Sequence, residues 1–454
     1  MSKMKKLGAL LFALVLILSI GVPTYAADGD MDGKSGIIGA FASADTPDAA
    51  YTTNLILYKE LVVYNADGLA VCAPTIDYDY TIAAVAGGAT VKDIGTGVHS
   101  GNTPVQVVTK TATGTPKIYG SVDGGTNYVD GKLALTTAVD LTSASGGSSN
   151  KFKLKADFSG VTWAEGAGVY RFLITETTTT AGKNAAGIAD GTITNTRYVD
   201  VYVKDATTPG TYEVYGYTCF MNAGNIDGTT AASVTAASKT EGFVAGSNNG
   251  TAQTADQYYT FNLLVSKTLT GDTAKNDNKF PFTVKLTNSS VTADIKLKVK
   301  TVEDGAAAVD GTAVTGTLST ASTGITATPT IDHQSNIKYI GIPVGITAGT
   351  AVDVKETNNV AGTTYTSTYS IDNAAAAGEK NIYYNEDSNS AQFTETMNAA
   401  DATSHTVAFT NALKLISPTG VVLRVAPYAI MLGMGILLLI VVRRRRPEEE
   451  AMYA

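Results

Sequence analysis

Two eight-residue stretches, NLILYKEL at 54–61 and NLLVSKTL at 262–269, have the same order of asparagine, two apolar residues, lysine and a final leucine. Each places its lysine among apolar side chains. Side chains of a β-strand alternate between its two faces, so residues two apart share a face. Lys59 and Lys267 therefore lie on the faces that their neighbouring leucines and valines turn toward a core. A buried, unpaired lysine is costly and commonly loses its proton. The repeat predicts two related domains, each opening with a strand that carries a buried lysine.

Three more strands carry a polar residue in phase with apolar ones. GVYRFLITE at 168–176 ends in Glu176, AVDVKE at 351–356 ends in Glu356, and HTVAFTN at 405–411 ends in Asn411. For each residue alone, the simple alternative is a strand end where the core face meets water. Because lysine and glutamate recur in both halves of the chain, the pattern favours a shared chemistry.

Buried lysine, glutamate and asparagine can together form an amide bond. Burial favours the neutral forms of lysine and glutamate, and a neutral amine is a nucleophile. A protonated glutamic acid can polarise an asparagine carbonyl and pass protons to the leaving ammonia. We therefore predict an isopeptide bond between Lys267 and Asn411, with Glu356 as the catalytic carboxyl. The folded core supplies proximity, and no cofactor is needed.

Composition supports an all-β chain and excludes some partners. Thr, Ala, Gly, Val and Tyr dominate, which fits strands joined by turns. The formal net charge is −8 and no basic patch lies outside the C-terminal tail, which argues against nucleic acid. Three scattered histidines give no metal-ligand spacing. Two cysteines, Cys72 and Cys219, cannot form a disulfide framework; the sequence leaves open whether they form a single disulfide with each other.

Both ends of the chain indicate export. Residues 1–26 have a basic start, an apolar centre and small residues before a cleavage site after Ala26, as in a secretory signal peptide. Residues 425–442 form an apolar run long enough for a membrane-spanning helix, and four arginines follow it. The bulk of the chain, from residue 27 to about 414, is expected outside the membrane.

The order of the motifs resembles that of the two-domain backbone pilins of sortase-assembled pili on Gram-positive bacteria. The matching stretches include VSKTLTG, NDNKFPFTVKL, AVDVKE, FTN and the tail that begins SPTGVVL. The resemblance implies two tandem immunoglobulin-like β-sandwiches, at 27–250 and 251–414, and a sorting signal at 415–454. It gives Lys267, Asn411 and Glu356 the roles predicted above.

For the first domain, the resemblance makes Lys59 and Glu176 the linking amine and the catalytic carboxyl. The family's usual acceptor position falls at Ala245, so the acceptor asparagine stays open. Asn249 ranks first because it keeps phase with Phe243, then Asn248, and then Asn222.

The resemblance also implies how the chain is assembled. ISPTG at 416–420 is similar to a sortase recognition site, with cleavage between Thr419 and Gly420 while the tail holds the precursor in the membrane. Lys239 is similar in position to the lysine that receives the next subunit. The alternative that Lys239 is an ordinary solvent-exposed lysine has equal weight. Implied partners are other copies of the chain, a sortase, and cell-wall peptidoglycan or a basal pilin. A wall-anchored adhesin that does not polymerise is the alternative function.

Overall fold

The computed structural model describes most of the chain between residues 53 and 413, together with part of the C-terminal tail. The described residues are 53–88, 90–92, 106–221, 240–245, 255–271, 275–302, 309–319, 323–374, 380–384, 387–395, 404–413 and 428–443. Over these residues the protein is mostly β-structure, which confirms the predicted all-β class.

Seventeen strands precede residue 245 among the described residues. They are β1 Asn54–Asn65, β2 Val71–Cys72, β3 Ile76–Ala84, β4 Thr90–Lys92, β5 Gln106–Val108, β6 Thr113–Gly114, β7 Lys117–Ser121, β8 Val129–Asp130, β9 Lys132–Leu135, β10 Asp140–Leu141, β11 Ser148–Asp157, β12 Val161–Thr162, β13 Gly168–Glu176, β14 Ile188–Ala189, β15 Thr196–Asp205, β16 Tyr212–Phe220 and β17 Gly242–Phe243. A short helix, Thr180–Ala185, lies between β13 and β14, and the side chain of Thr179 caps its first turn.

Thirteen strands follow in the described residues beyond 255. They are β18 Asp256–Thr270, β19 Phe280–Thr287, β20 Asp294–Val302, β21 Val309–Asp310, β22 Val314–Thr317, β23 Ile325–Ala327, β24 Thr330–Ile331, β25 Asn336–Pro343, β26 Thr350–Thr357, β27 Thr364–Ile371, β28 Lys380–Tyr383, β29 Ser388–Glu395 and β30 Ser404–Leu413. All five strands predicted to carry a polar core residue are present, as β1, β13, β18, β26 and β30.

Sheets cover two hydrophobic cores. One continuous sheet runs β21-β20-β25-β18-β1-β11-β7-β8, with β30 and β27 joined to it through β18. A second sheet, β16-β15-β13-β3-β9, covers the first core, to which Leu57, Phe172 and Val201 belong. A third sheet, β23-β19-β26-β29, covers the second core, around Val265 and Phe409.

Strands β1 and β18 pair in parallel where the two cores meet. Leu61–Asn65 of β1 lies beside Asp256–Thr260 of β18. Both faces of these segments are buried, because Val63 and Tyr258 pack into the first core while Tyr64 and Tyr259 pack into the second. The rings of Tyr64 and Tyr259 stack, with centroids 4.4 Å apart. Side-chain alternation therefore lets one pair of strands serve two cores.

The structure describes only some of the segments predicted at the termini and at the domain boundary. The signal peptide lies outside the described residues, as does the domain boundary at 250/251, which stays a prediction. In the tail, residues 428–443 are helical. Of the helices in the described residues, none has both the length and the apolar character needed to span a membrane. Cys72 and Cys219 are separate, buried thiols.

Candidate isopeptide sites

Three strands bring Lys267, Glu356 and Asn411 together inside the second core. Lys267 lies on β18, which pairs in parallel with β30, the strand of Asn411. Glu356 lies on β26 in the opposite sheet. The exposed fractions of the three residues are 1%, 0% and 0%, so none of them reaches water at a strand end. The arrangement is that expected from strand phase.

Both prospective reaction partners bind one oxygen of Glu356. The Nζ atom of Lys267 donates to Oε1, and the Nδ2 atom of Asn411 donates to the same oxygen at 2.7 Å. Amine and amide thus lie on either side of a single carboxylate oxygen. This geometry lets the carboxyl exchange protons with both groups without moving.

Burial makes the amine of Lys267 more acidic. Removal from water lowers its pKa to about 8, although the neighbouring Glu356 carboxylate opposes that effect. The ammonium also lies over the ring of Phe280, with Nζ 4.6 Å from the ring centroid. A pKa near 8 leaves a useful fraction of neutral, nucleophilic amine at neutral pH.

Two residues that strand phase did not single out hold the carboxyl in place. Ser367 donates from Oγ to Oε2 of Glu356 at 3.1 Å. Asn389 in turn donates from Nδ2 to Oγ of Ser367 at 3.2 Å. Ser367 pairs with Asn411 across β27 and β30, and it is in phase with buried Tyr365. The face shared with Tyr365 could have indicated that Ser367 is buried. A serine in a threonine-rich strand is not unusual, so the sequence offers no reason to single it out.

The Oδ1 atom of Asn411 is buried and has no hydrogen-bond partner. Which way an amide points is inferred from its hydrogen bonds, since oxygen and nitrogen are nearly alike in shape. With Glu356 ionised, the NH₂ group faces the carboxylate. Once a proton moves from Lys267 to Glu356, the carboxyl becomes a donor and the turned amide can present Oδ1 to it. An Asn411 amide that accepts at Oδ1 therefore requires a proton on Glu356.

The first core contains a related but more highly charged cluster. The Nζ atom of Lys59, on β1, lies 2.8 Å from Oε2 of Glu176, on β13. The hydroxyl of Tyr80 donates to the same oxygen at 3.1 Å. Lys59 and Glu176 are 4% and 2% exposed, so the structure brings together both residues predicted for this core.

Two residues that sequence reasoning missed complete this cluster. Asp256, the first residue of β18, lies with Oδ2 2.7 Å from Nζ of Lys59. Lys183, on the short helix, lies 2.7 Å from Oε1 of Glu176 and 3.0 Å from Oδ2 of Asp256. The stretch AGSNNGTAQTAD at 245–256 is rich in turn-forming residues and predicts a linker between the two domains. For its last residue, Asp256, this prediction is wrong, because Asp256 is buried at the start of β18. The burial of Lys183 could not be predicted from strand phase, because Lys183 does not lie on a core-facing strand.

Several predicted residues lie outside the described part of the chain. These are the acceptor candidates Asn249, Asn248 and Asn222, the linking residue Lys239, and the cleavage pair Thr419 and Gly420. Their roles stay predictions. Among the described residues, no group of three or more His, Cys, Asp and Glu side chains is arranged to hold a metal ion.

Comparison with known proteins finds similarity of structure only. No protein-family model and no curated protein matches the chain. The major pilin from Streptococcus pyogenes is 19% identical, with a TM-score of 0.36 over 80% of this chain and 98% of that one. The T3.2 major pilin from the same organism is 17% identical, with a TM-score of 0.34 over 80% and 99%. A pilus-presented adhesin is 16% identical, with a TM-score of 0.23 over 48% and 37%.

Proposed function

We propose that the chain is a structural shaft subunit of a covalently polymerised pilus on a Gram-positive cell surface. It consists of two immunoglobulin-like domains, 27–250 and 251–414, stabilised by self-formed isopeptide bonds. The observation that carries the proposal is the buried cluster of Lys267, Glu356 and Asn411. A lysine, a glutamate and an asparagine joined through one oxygen inside an apolar core have a clear chemical use, and an ordinary core does not need them.

The second-core bond forms in three steps. A proton passes from the Lys267 ammonium to Glu356, which leaves a neutral amine and a neutral acid. The amine nitrogen attacks Cγ of Asn411 while the acid donates to Oδ1, which carries the developing negative charge. The tetrahedral centre then collapses, the amide nitrogen leaves as ammonia with protons passed through Glu356, and an Nζ–Cγ amide remains. The reaction occurs once per molecule, so the chain is not an enzyme in the sense of turnover, and it uses no cofactor.

Assembly follows from the sorting signal. The signal peptide directs export, and residues 425–442 with the following arginines hold the precursor in the membrane. A sortase cleaves between Thr419 and Gly420 and joins Thr419 to Lys239 of another copy. The last subunit is joined to peptidoglycan or to a basal pilin. The finished protein therefore lies in the cell wall and the fibre.

Two measurements test this proposal. Peptide mass spectrometry of the mature protein should find Lys267 and Asn411 in one cross-linked pair lacking one ammonia, and Glu356→Ala should separate them. An immunoblot of wall extracts should show a ladder of high-mass species that Lys239→Ala collapses to one band. A single band from the wild type would instead support the adhesin, and an uncrosslinked Lys267 would refute the bond chemistry.

A further inference from the structure

We propose that the first core closes its own isopeptide bond between Lys59 and Asp256 with loss of water, and that Lys183 and the backbone N–H of Gly191 assist the reaction. The inference rests on the proposed function, because it extends the same bond chemistry to a second site. It assigns the acceptor to a carboxylate in place of the asparagines considered for that role.

Strand register gives Asp256 the position that Asn411 has in the second core. There, β18 and β30 run parallel, and Asn411 pairs with Leu269, two residues beyond the lysine. In the first core, β1 and β18 also run parallel, and Asp256 pairs with Leu61, again two residues beyond the lysine. The acceptor side chain therefore points to the amine from the same direction in both cores.

Contact distances agree with this register. The Nζ atom of Lys59 lies 2.7 Å from Oδ2 of Asp256 and 2.8 Å from Oε2 of Glu176. Asp256 is only 3% exposed. Amine, acceptor and catalytic carboxyl thus meet in a site from which most water is excluded, and this proximity is the main requirement of the reaction.

Asp256 is also held in the manner of a reacting carboxyl. The backbone N–H of Gly191 donates to Oδ1 at 2.8 Å, and Nζ of Lys183 donates to the same oxygen at 3.2 Å. Both donors therefore reach Oδ1, while Oδ2 faces the Lys59 amine and also lies 3.0 Å from Nζ of Lys183. Donors fixed where negative charge develops lower the barrier to a tetrahedral intermediate.

The bond forms by condensation of an ammonium and a carboxylate. One proton of Lys59 passes to Oδ2 of Asp256, directly or through Glu176, which leaves a neutral amine and a neutral acid. The amine nitrogen attacks Cγ, and the negative charge gathers on Oδ1 between Gly191 and Lys183. Glu176 carries a second proton from the nitrogen to Oδ2, which leaves as water while Oδ1 becomes the amide carbonyl. One positive and one negative charge disappear together, so no net charge is created in the core.

Lys183 serves as the retained cation and Lys59 as the nucleophile. The Nζ atom of Lys183 also lies 2.7 Å from Oδ1 of Asp190, so it faces three carboxylates. Burial opposes protonation, but these carboxylates outweigh it and raise the pKa of Lys183 above that of lysine in water. Lys183 therefore stays charged, and after condensation it remains as the counter-charge of Glu176. This need explains why an aspartate acceptor comes with a second lysine, whereas the described contacts of Asn411 include none.

Peptide mass spectrometry of the mature protein tests the bond. The wild type should give a Lys59–Asp256 peptide pair that lacks one water, beside the Lys267 pair that lacks one ammonia. Asp256→Asn should keep the first cross-link but change the loss from water to ammonia, and Asp256→Ala should remove it. Asp190→Asn is the matched control, since it changes a neighbouring carboxylate and should keep the water loss.

The outcomes separate this inference from the proposed function. Lys59 joined to Asn248 or Asn249, or free Lys59 beside an intact Lys267–Asn411 bond, would overturn the inference alone. Free lysines at both sites would overturn both.

Substitution of Lys183 tests its role. Lys183→Arg keeps the charge without a nucleophilic amine and should still form the bond. Lys183→Met should slow cross-linking, followed over time during cell-free synthesis, by roughly 10²-fold. A Lys183–Asp256 peptide pair in the wild type would make Lys183 the nucleophile, and loss of the bond in Lys183→Arg would mean that its charge alone is not what the reaction needs. An unchanged rate in Lys183→Met would remove Lys183 from the reaction. Each of these results contradicts the inference.

Discussion

Replacing Asn411 with alanine removes the acceptor of the second-core bond and leaves Lys267 paired with Glu356. The bond would close a loop of about 145 residues, and the chain-entropy model for cross-links gives about 5 kcal/mol for a loop of that length. The 2.7 Å hydrogen bond from Nδ2 of Asn411 to Glu356 adds nothing to this loss, because that nitrogen leaves as ammonia when the bond forms. The free energy of unfolding should therefore fall by about 5 kcal/mol.

Calorimetry of the mature protein measures this loss. In a unit of this size, each kcal/mol shifts the melting temperature by about 3 °C, so the transition of the second core should fall by about 15 °C. Peptide mass spectrometry on the same samples checks that the cross-link is present in the wild type and absent from the variant.

Asn389→Ala provides the matched control. Asn389 is also a buried asparagine, and it donates to Ser367, which in turn donates to Glu356. It is not the asparagine proposed to be joined to Lys267. Its loss should cost only about 1–2 kcal/mol. Equal losses for the two variants would mean that Asn411 contributes a hydrogen bond and no covalent link, and the predicted bond would be refuted.

Two further predictions concern pH and force. In Asn411→Ala the free amine of Lys267 has a pKa of about 8 when folded, against 10.5 in water, so the unfolded chain binds more protons between these values. The free energy of unfolding should rise by about 3 kcal/mol from pH 8 to 10.5, relative to the same background with Lys267→Met; a flat difference contradicts the buried amine. When single subunits are pulled between Lys239 and Thr419, the wild type should show no unfolding step from the second core, whereas Glu356→Ala should show one; identical force traces contradict the proposed polymer geometry.

Strand phase was sufficient to find the buried polar cluster of the second core. Lys267, Glu356 and Asn411 each share a face with apolar neighbours, and alternation alone predicts that such faces point inward. The same reasoning found Lys59 and Glu176. It succeeded because these residues lie in the middle or near the end of regular strands, where a period of two holds.

The same reasoning failed where local pattern and tertiary position disagree. Asp256 follows a stretch of small and turn-forming residues, so composition favoured a linker, and only pairing with β1 shows that it is buried. Lys183 reaches the first core from a short helix, and its contacts depend on how that helix packs. The junction was missed too, because Leu61–Tyr64 is a continuous apolar run without alternation, while its partner Asp256–Thr260 is largely polar in sequence. These features depend on long-range contacts that no local pattern encodes.

The shared strand pair at the junction determines how a fibre of such subunits would bend. Flexible linkers let neighbouring domains rotate, but here β1 and β18 each contribute side chains to both cores. Asn65 and Asn262 add a reciprocal pair of amide hydrogen bonds between these strands, at 2.8 and 2.9 Å. Tilting one core against the other would break backbone pairing and two packed interiors together. Curvature of a filament would therefore concentrate at the joints between subunits, and its persistence length would be set by the intersubunit connection and by subunit length.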